Sequence, residues 1–306
     1  MNTLSCAVMI ATHSRLPELR RTLAVIAELE PAPDEVWVCA DGCGDGTADF
    51  VRAEYPWVKL IEHPAALGSI RSRTEIMHGA GSDIVVSLDD DSYPMDGDFI
   101  ARVRELFAAK AHVAVASFPQ RTDEFPETLT AAGFGPDCYT ASYSDAAAAF
   151  RRSVYLELEG WPEEFGHAYE EPDYALQCVT RGYAVYFFTQ VVIRHHFTSL
   201  QRNEIRTHHR HARNEQWSMW RRCPFPDVLA LSPYRALSQL NYARKRGVGW
   251  VVREPAWWMM ALRGLPAALR KRRPVPARVY RRWLRLIRRP IESEEEWRRE
   301  FGRNDE

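Results

Sequence analysis

Along roughly the first two thirds of the chain, short apolar runs alternate with stretches of helical spacing, and each apolar run stops abruptly at polar residues. Ala7-Val-Met-Ile-Ala-Thr12 is the first such run. A continuous apolar segment of this length reads as a strand buried on both faces. From Pro17 to Leu29 the apolar positions Leu19, Leu23, Ile26 and Ala27 fall at helical spacing, with Pro17 where a first turn tolerates it. Glu35-Val-Trp-Val-Cys-Ala40 is a second strand and opens into the glycine- and acid-rich turn Asp41-Gly-Cys-Gly-Asp-Gly-Thr47. A helix through Phe50 and Val51, a strand at Val58-Lys-Leu-Ile61, a helix over Ser72 to Gly79 and a strand at Asp83-Ile-Val-Val-Ser-Leu88 follow. Strands alternating with helices predict an α/β fold: a mainly parallel, Rossmann-like sheet with helices on both faces.

Further along, a helix through Ile100, Val103 and Phe107 leads to the strand-like Val113-Ala-Val-Ala-Ser117. Residues 119–145 are rich in turn formers and read as a loop excursion. After Ala146-Ala-Ala-Ala-Phe150 come a helix over Arg152 to Leu158, a helix over Tyr174 to Arg181 and a strand from Ala184 to Ile193 that ends at His195-His196. From about residue 200 the pattern is helical and rich in Arg and Trp. The expected division is therefore a catalytic α/β part over 1–200 and a basic helical part over 201–306.

Charge sharpens that division. The formal net charge is -1, yet residues 1–199 carry 15 Lys and Arg against 30 Asp and Glu, whereas residues 200–306 carry 25 against 11. A basic half implies an anionic partner, whether a membrane surface, a phosphate-bearing substrate or nucleic acid. In Val279-Tyr-Arg-Arg-Trp-Leu-Arg-Leu-Ile-Arg-Arg289, the apolar Val279, Trp283, Leu286 and Ile287 share one helical face and arginines cover the rest. Such a helix either lies on an anionic membrane or packs on the catalytic part with its arginines in solvent. The six cysteines show no paired or metal-ligand spacing, and no stretch has the apolar length of a membrane span. Without a basic, apolar leader at Met1, a cytoplasmic location is expected, with peripheral attachment at the inner face of a membrane as the extension of it.

Thr12, Asp41 and Asp89 each follow directly on a buried strand. In open parallel sheets ligands bind beyond the carboxyl ends of the strands, so these side chains should share one crevice. Asp89-Asp90-Asp91 is the sharpest feature of that crevice. Carboxylates delivered side by side to a sheet edge repel one another unless a cation is held there. A divalent ion, Mn²⁺ or Mg²⁺, that keeps positions open for phosphate oxygens suits the pattern.

These motifs, in this order, resemble the family 2 glycosyltransferases of GT-A fold: Val8-Met-Ile-Ala-Thr-His-Ser-Arg15, Asp41-Gly-Cys-Gly-Asp-Gly-Thr47, Gly68-Ser-Ile-Arg-Ser-Arg73, Leu88-Asp-Asp-Asp91, and Gly160-Trp-Pro-Glu-Glu-Phe165 followed by Glu170-Glu-Pro-Asp173. The resemblance implies a metal-dependent inverting transfer of a hexosyl or deoxyhexosyl group from a nucleoside-diphosphate sugar to an acceptor hydroxyl, on a glycan, a lipid-linked or a small-molecule acceptor. It implies that Ala11, Thr12 and Arg15 line the nucleotide pocket, that Asp41 bonds the base or ribose, and that Arg73 lies near the diphosphate. Asp89 would reach the ribose, Asp91 would ligate the metal, and Asp90 would support them. Glu171 is the expected general base, with Glu170 and Asp173 as rivals for that role, and His195 or His196 is the remaining metal ligand. Trp161, Phe165 and Tyr169 would either stack on a sugar or fill the core. His208, His209 and His211 read as an exposed helical face that contacts phosphate. Two other readings compete. A nucleotidyltransferase would carry a glycine-rich loop after the first strand, which Ala11-Thr-His-Ser14 is not. A non-catalytic nucleic-acid or nucleotide binder leaves the acidic crevice unexplained, and no nucleic-acid partner is expected.

Overall fold

The computed structural model describes residues 3–197 and 203–302. Its strands are β1 (Cys6–Thr12), β2 (Glu35–Asp41), β3 (Lys59–His63), β4 (Ile84–Asp89), β5 (Ser92–Pro94), β6 (Val113–Ser117), β7 (Gln120–Thr122), β8 (Cys138–Tyr139), β9 (Ala147–Arg151), β10 (Ala184–Phe187) and β11 (Ile193–His195). The helices are α1 (Leu16–Ala27), α2 (Thr47–Glu54), α3 (Ser69–Gly79), α4 (Phe99–Ala109), α5 (Arg152–Glu157), α6 (Glu170–Thr180), α7 (Glu204–Arg222), α8 (Asp227–Arg246), α9 (Val248–Val251), α10 (Glu254–Arg270), α11 (Ala277–Arg288) and α12 (Glu294–Phe301).

Eight strands form the central sheet in the order β3-β2-β1-β4-β9-β6-β10-β8. β1, β2, β3 and β4 run parallel, as do β6 and β10, while β9 is antiparallel to both its neighbours and β8 caps one edge antiparallel to β10. The four-alanine segment, which carries no period of its own, is thus the middle strand β9. Small side chains suit a strand covered on both sides.

Successive β1 side chains go to opposite faces. Cys6, Val8 and Ile10 pack with Leu19, Leu23 and Ile26 of α1 and Phe99, Ile100 and Val103 of α4. Ala7 and Met9 pack with Ile70, Ile76 and Met77 of α3 and Val154 and Tyr155 of α5. Helices therefore cover both faces, as the alternation predicts.

Two differences from the sequence reading bear on the site. The apolar run expected as one strand from Ala184 to Ile193 is two, and its second part, β11, lies in a separate three-stranded sheet between β5 and β7. β11 sets His195 opposite Ser92, beside the acidic run. The helix expected to start at Tyr174 starts at Glu170, so Glu170, Glu171 and Asp173 all fall in its first turn, where the helix dipole favours acids.

The expected boundary at residue 200 lies outside the described residues. Beyond it, Cys223, Val228, Tyr280, Trp283, Leu286, Trp297 and Phe301 belong to the same hydrophobic cluster as one face of the sheet. The arginine-rich α11 is thus a packing helix: Trp283 is buried and its indole N–H donates to the Ala141 carbonyl at 3.0 Å. His208 and His209, expected to be exposed, are buried: the His208 ring packs against Tyr242 of α8 and Trp250 of α9, and its Nε2 lies 2.8 Å from Glu254 at the start of α10.

Candidate active site

Parallel register brings the strand ends together: Ala11 lies between Cys39 of β2 and Asp89 of β4, and Thr12 beside Ala40. Asp41, at the end of β2, accepts the backbone N–H groups of Leu67 and Gly68, each at 2.8 Å, and lies 2.8 Å from His63 Nδ1. Its carboxylate folds the loop before α3 against the strand ends. Gly68 is needed there: its φ is +100°, and a Cβ would sit 2.9 Å from the Gly166 carbonyl oxygen.

The three aspartates take different partners. Asp90 is buried; it accepts the Thr12 hydroxyl at 2.7 Å and pairs with Arg15 at 2.9 Å, while Thr22 donates to its carbonyl at 2.8 Å. Burial pushes its carboxyl up to about 7 against the pull of Arg15. Asp91 is 1% exposed and receives Arg15 at 2.5 Å on one oxygen, while its other oxygen lies 3.3 Å from His195 Nε2. Burial opposes ionisation there, but His195 and Arg15 hold the carboxyl below its ordinary range. Asp89 is the most accessible of the three and pairs with Arg73 at 2.5 Å.

Asp89, Asp91 and His195 each present one ligand atom within 4.8 Å of the others. Two carboxylates and an imidazole form a donor set suited to a divalent ion. His195 Nδ1 lies 2.9 Å from the Gln120 side-chain oxygen, and the Gln120 amide donates to Ser144 at 2.9 Å. With the Gln120 oxygen fixed as an acceptor, the Nδ1 proton is set and Nε2 is turned toward Asp91. His196 points elsewhere: its Nε2 lies 2.8 Å from the Tyr93 hydroxyl, and Arg194 lies 3.1 Å from its Nδ1.

A second acidic group, Asp145, Glu170 and Glu171, also has ligand atoms within 4.8 Å of one another. Burial first, then mutual repulsion, pushes Glu170 well above the ordinary carboxyl range; burial and Asp145 push Glu171 up in the same sense. Glu170 and Glu171 line a pocket together with Tyr143, His167, Tyr169 and His211. Arg73 joins the two groups. It is buried, with one nitrogen on Asp89 at 2.5 Å and another 3.2 Å from Asp145. Although burial opposes its charge, Asp145 and Asp89 hold the guanidinium protonated.

Asp173 and Trp161 lie outside this crevice. Asp173 is fully buried, accepts Ser218 at 2.7 Å and pairs with Arg222 at 3.2 Å, which fastens α6 to α7. Trp161 is 3% exposed; its ring packs 4.6 Å from that of Tyr155 and its N–H donates to Tyr143 at 2.8 Å. Three residues beyond the expected ones shape the site: Gln120, Asp145 and Asn214. Asn214 is fully buried on α7, and its amide donates to the carbonyls of His167 and Ala168 at 2.9 and 2.8 Å. Those carbonyls belong to a strained turn, since Ala168 and Tyr169 have φ of 73° and 72° immediately before Glu170.

A mainly parallel sheet in this strand order, with acids at its strand ends, has the GT-A fold. The family described as glycosyltransferase like family 2 matches residues 5–214, and the chain belongs to it. Among solved structures, it is similar to a mannosyltransferase from Pyrobaculum calidifontis in complex with GDP-Man and Mn²⁺, at 20% identity over 89% of this chain and 84% of that one, with a TM-score of 0.57. It is also similar to S. aureus TarS 1–349 in complex with UDP-GlcNAc, at 14% identity over 90% and 83% of the two chains and a TM-score of 0.59. GalNAc-T7 with UDP, GalNAc and Mn²⁺ has a TM-score of 0.58 at 12% identity over 76% of this chain and 54% of that one. No curated protein matches the sequence. Membership of this family makes glycosyl transfer the activity class.

Proposed function

We propose that the chain transfers a hexosyl or deoxyhexosyl group from a nucleoside-diphosphate sugar to an acceptor hydroxyl, with inversion at the anomeric carbon. The observation that carries this reading is Arg73 bridging Asp89 and Asp145, which makes one crevice of the two acidic groups. Thr12, Arg15 and the Asp41 loop border the nucleotide side. Asp91 and His195 would hold a divalent ion, with Asp89 within reach of it and of the ribose. Such an ion supplies charge neutralisation for a departing diphosphate.

On the other side of Arg73, Glu171 is the general base. Both glutamates line the pocket, but Glu171 is partly exposed there whereas Glu170 is buried. With its pKa raised by burial, the Glu171 carboxylate is a stronger base toward a hydroxyl proton than an ordinary one. The acceptor oxygen loses its proton to Glu171 and attacks the anomeric carbon as the bond to the diphosphate breaks. A single displacement of this kind inverts the centre. Replacing Glu171 by Gln removes the base and leaves the nucleotide side intact. The expected result is unchanged donor binding with transfer lowered by about 10²–10⁴-fold; full transfer by that variant would contradict the assignment.

A further inference from the structure

We propose that the outer face of α9 and α10 is a docking surface for an anionic lipid bilayer. α10 is apolar on two sides. Its inner side, through Glu254, Trp257, Ala261 and Ala268, packs on α7: the Trp257 N–H donates to Glu254 at 2.8 Å and the Trp217 N–H to the Ala261 carbonyl at 2.9 Å. Gly264 lies on the same side, where a Cβ would overlap the Trp217 ring. The outer side repeats at helical spacing through Trp258, Met259, Leu262 and Leu269, which are between 38% and 67% exposed. Val248 and Val252, just before α10, are exposed by 79% and 66%.

Charge selects the occupant. Of the six Arg and Lys in residues 248–273, Lys271 and Arg273 pair with Glu164 and Glu159 and Arg272 donates to backbone carbonyls, while the one acid of the segment, Glu254, is fully buried. The exposed Arg253, Arg263 and Arg270 therefore flank an apolar stripe with no exposed carboxylate in that segment. A helix with an apolar strip and flanking cations lies in the headgroup region of an anionic membrane. A second copy of this face would set arginine against arginine. A polynucleotide would meet the cations but leave Met259, Leu262 and Leu269 in water. No described helix is long and apolar enough to cross a membrane, so the contact is at the surface. This location differs from the one α11 suggests in the sequence, since Tyr280, Trp283 and Leu286 are buried against the catalytic part.

The test is flotation of the full chain with vesicles of phosphatidylglycerol and, separately, of phosphatidylcholine, at low and high salt. Wild type is expected to float with the anionic vesicles only, and less at high salt. The double variant Met259→Glu, Leu262→Glu is expected to lose at least about tenfold in partitioning. Its circular dichroism and nucleotide binding should stay unchanged. Ile287→Glu, on the exposed edge of α11, should float as wild type does. Failure of wild type to float overturns the proposal, as does equal flotation of the double variant. A concentration-dependent dimer abolished by the same two substitutions, without vesicle binding, would overturn it in favour of self-association.

Discussion

Asn214→Ala separates the positioning of the base from the binding of the donor. The Asn214 amide donates to the carbonyls of His167 and Ala168, and it shares the Phe165 carbonyl with Arg213, which alone still reaches it at 2.8 Å. Removing the amide therefore takes away two hydrogen bonds to a partly buried turn, at about 0.5–1.5 kcal/mol each. Against this stands the strain of Ala168 and Tyr169 at positive φ, about 1–2 kcal/mol for each residue. The two quantities are similar, so the loss is enough to release the turn. The first turn of α6 would then shift, carrying Glu171 with it. A displacement of about 1 Å at a reacting group costs about 10²-fold in rate. Steady-state kinetics should show kcat falling by that factor while donor Kd holds, because Asp41, Arg73, Asp89 and Asp91 lie on other elements. Urea denaturation should report a stability loss of no more than about 1–3 kcal/mol, since releasing the turn also relieves its strain. The pH at which kcat rises should also move down, since a released Glu171 leaves the buried surroundings that raise its pKa. Wild-type kcat with a wild-type pH profile in Asn214→Ala would refute the reasoning.

Other expected outcomes follow from single contacts. Arg222→Met strips the fully buried Asp173 of its charge partner, which should cost about 3–5 kcal/mol in chemical denaturation. Trp283→Ala, in a buried site, should lower stability by about 3–5 kcal/mol, whereas a membrane-facing tryptophan would leave the free protein unchanged. Glu35 is lowered to about 2: burial alone would raise it, but Lys59, Trp37 and Ser82 bond its carboxylate. A depressed folded-state pKa gives stability that is present above the ordinary glutamate range and lost as pH falls from about 4.5 toward 2. Glu35→Gln should flatten that acid limb in thermal denaturation.

The strands and the crevice they form were legible because a buried parallel sheet writes itself as apolar runs, and the runs end where ligands bind. Thr12, Asp41 and Asp89 could be placed together on that rule alone. β9 was not legible, since a run of alanines carries neither period, and its place between β4 and β6 depends on long-range pairing. Gln120 and Asp145 fall at the two ends of a turn-rich segment, where nothing local marks a residue for a site formed by tertiary contact. Asn214 is one polar residue in a polar helix, and its value lies in three carbonyls nearly fifty positions away. The choice of His195 over His196 likewise depends on which side chain at the end of the short strand β11 faces the acidic run.

The central claim is that Asp89, Asp91 and His195 form the cation-dependent part of a sugar-nucleotide site. Isothermal titration of the full chain with a panel of nucleoside-diphosphate sugars, with and without Mn²⁺, tests it most directly when Asp91→Asn is run alongside. The expected result is binding of one nucleotide class that needs Mn²⁺ and is lost in Asp91→Asn. Binding that is equally tight without metal and survives the substitution would contradict it.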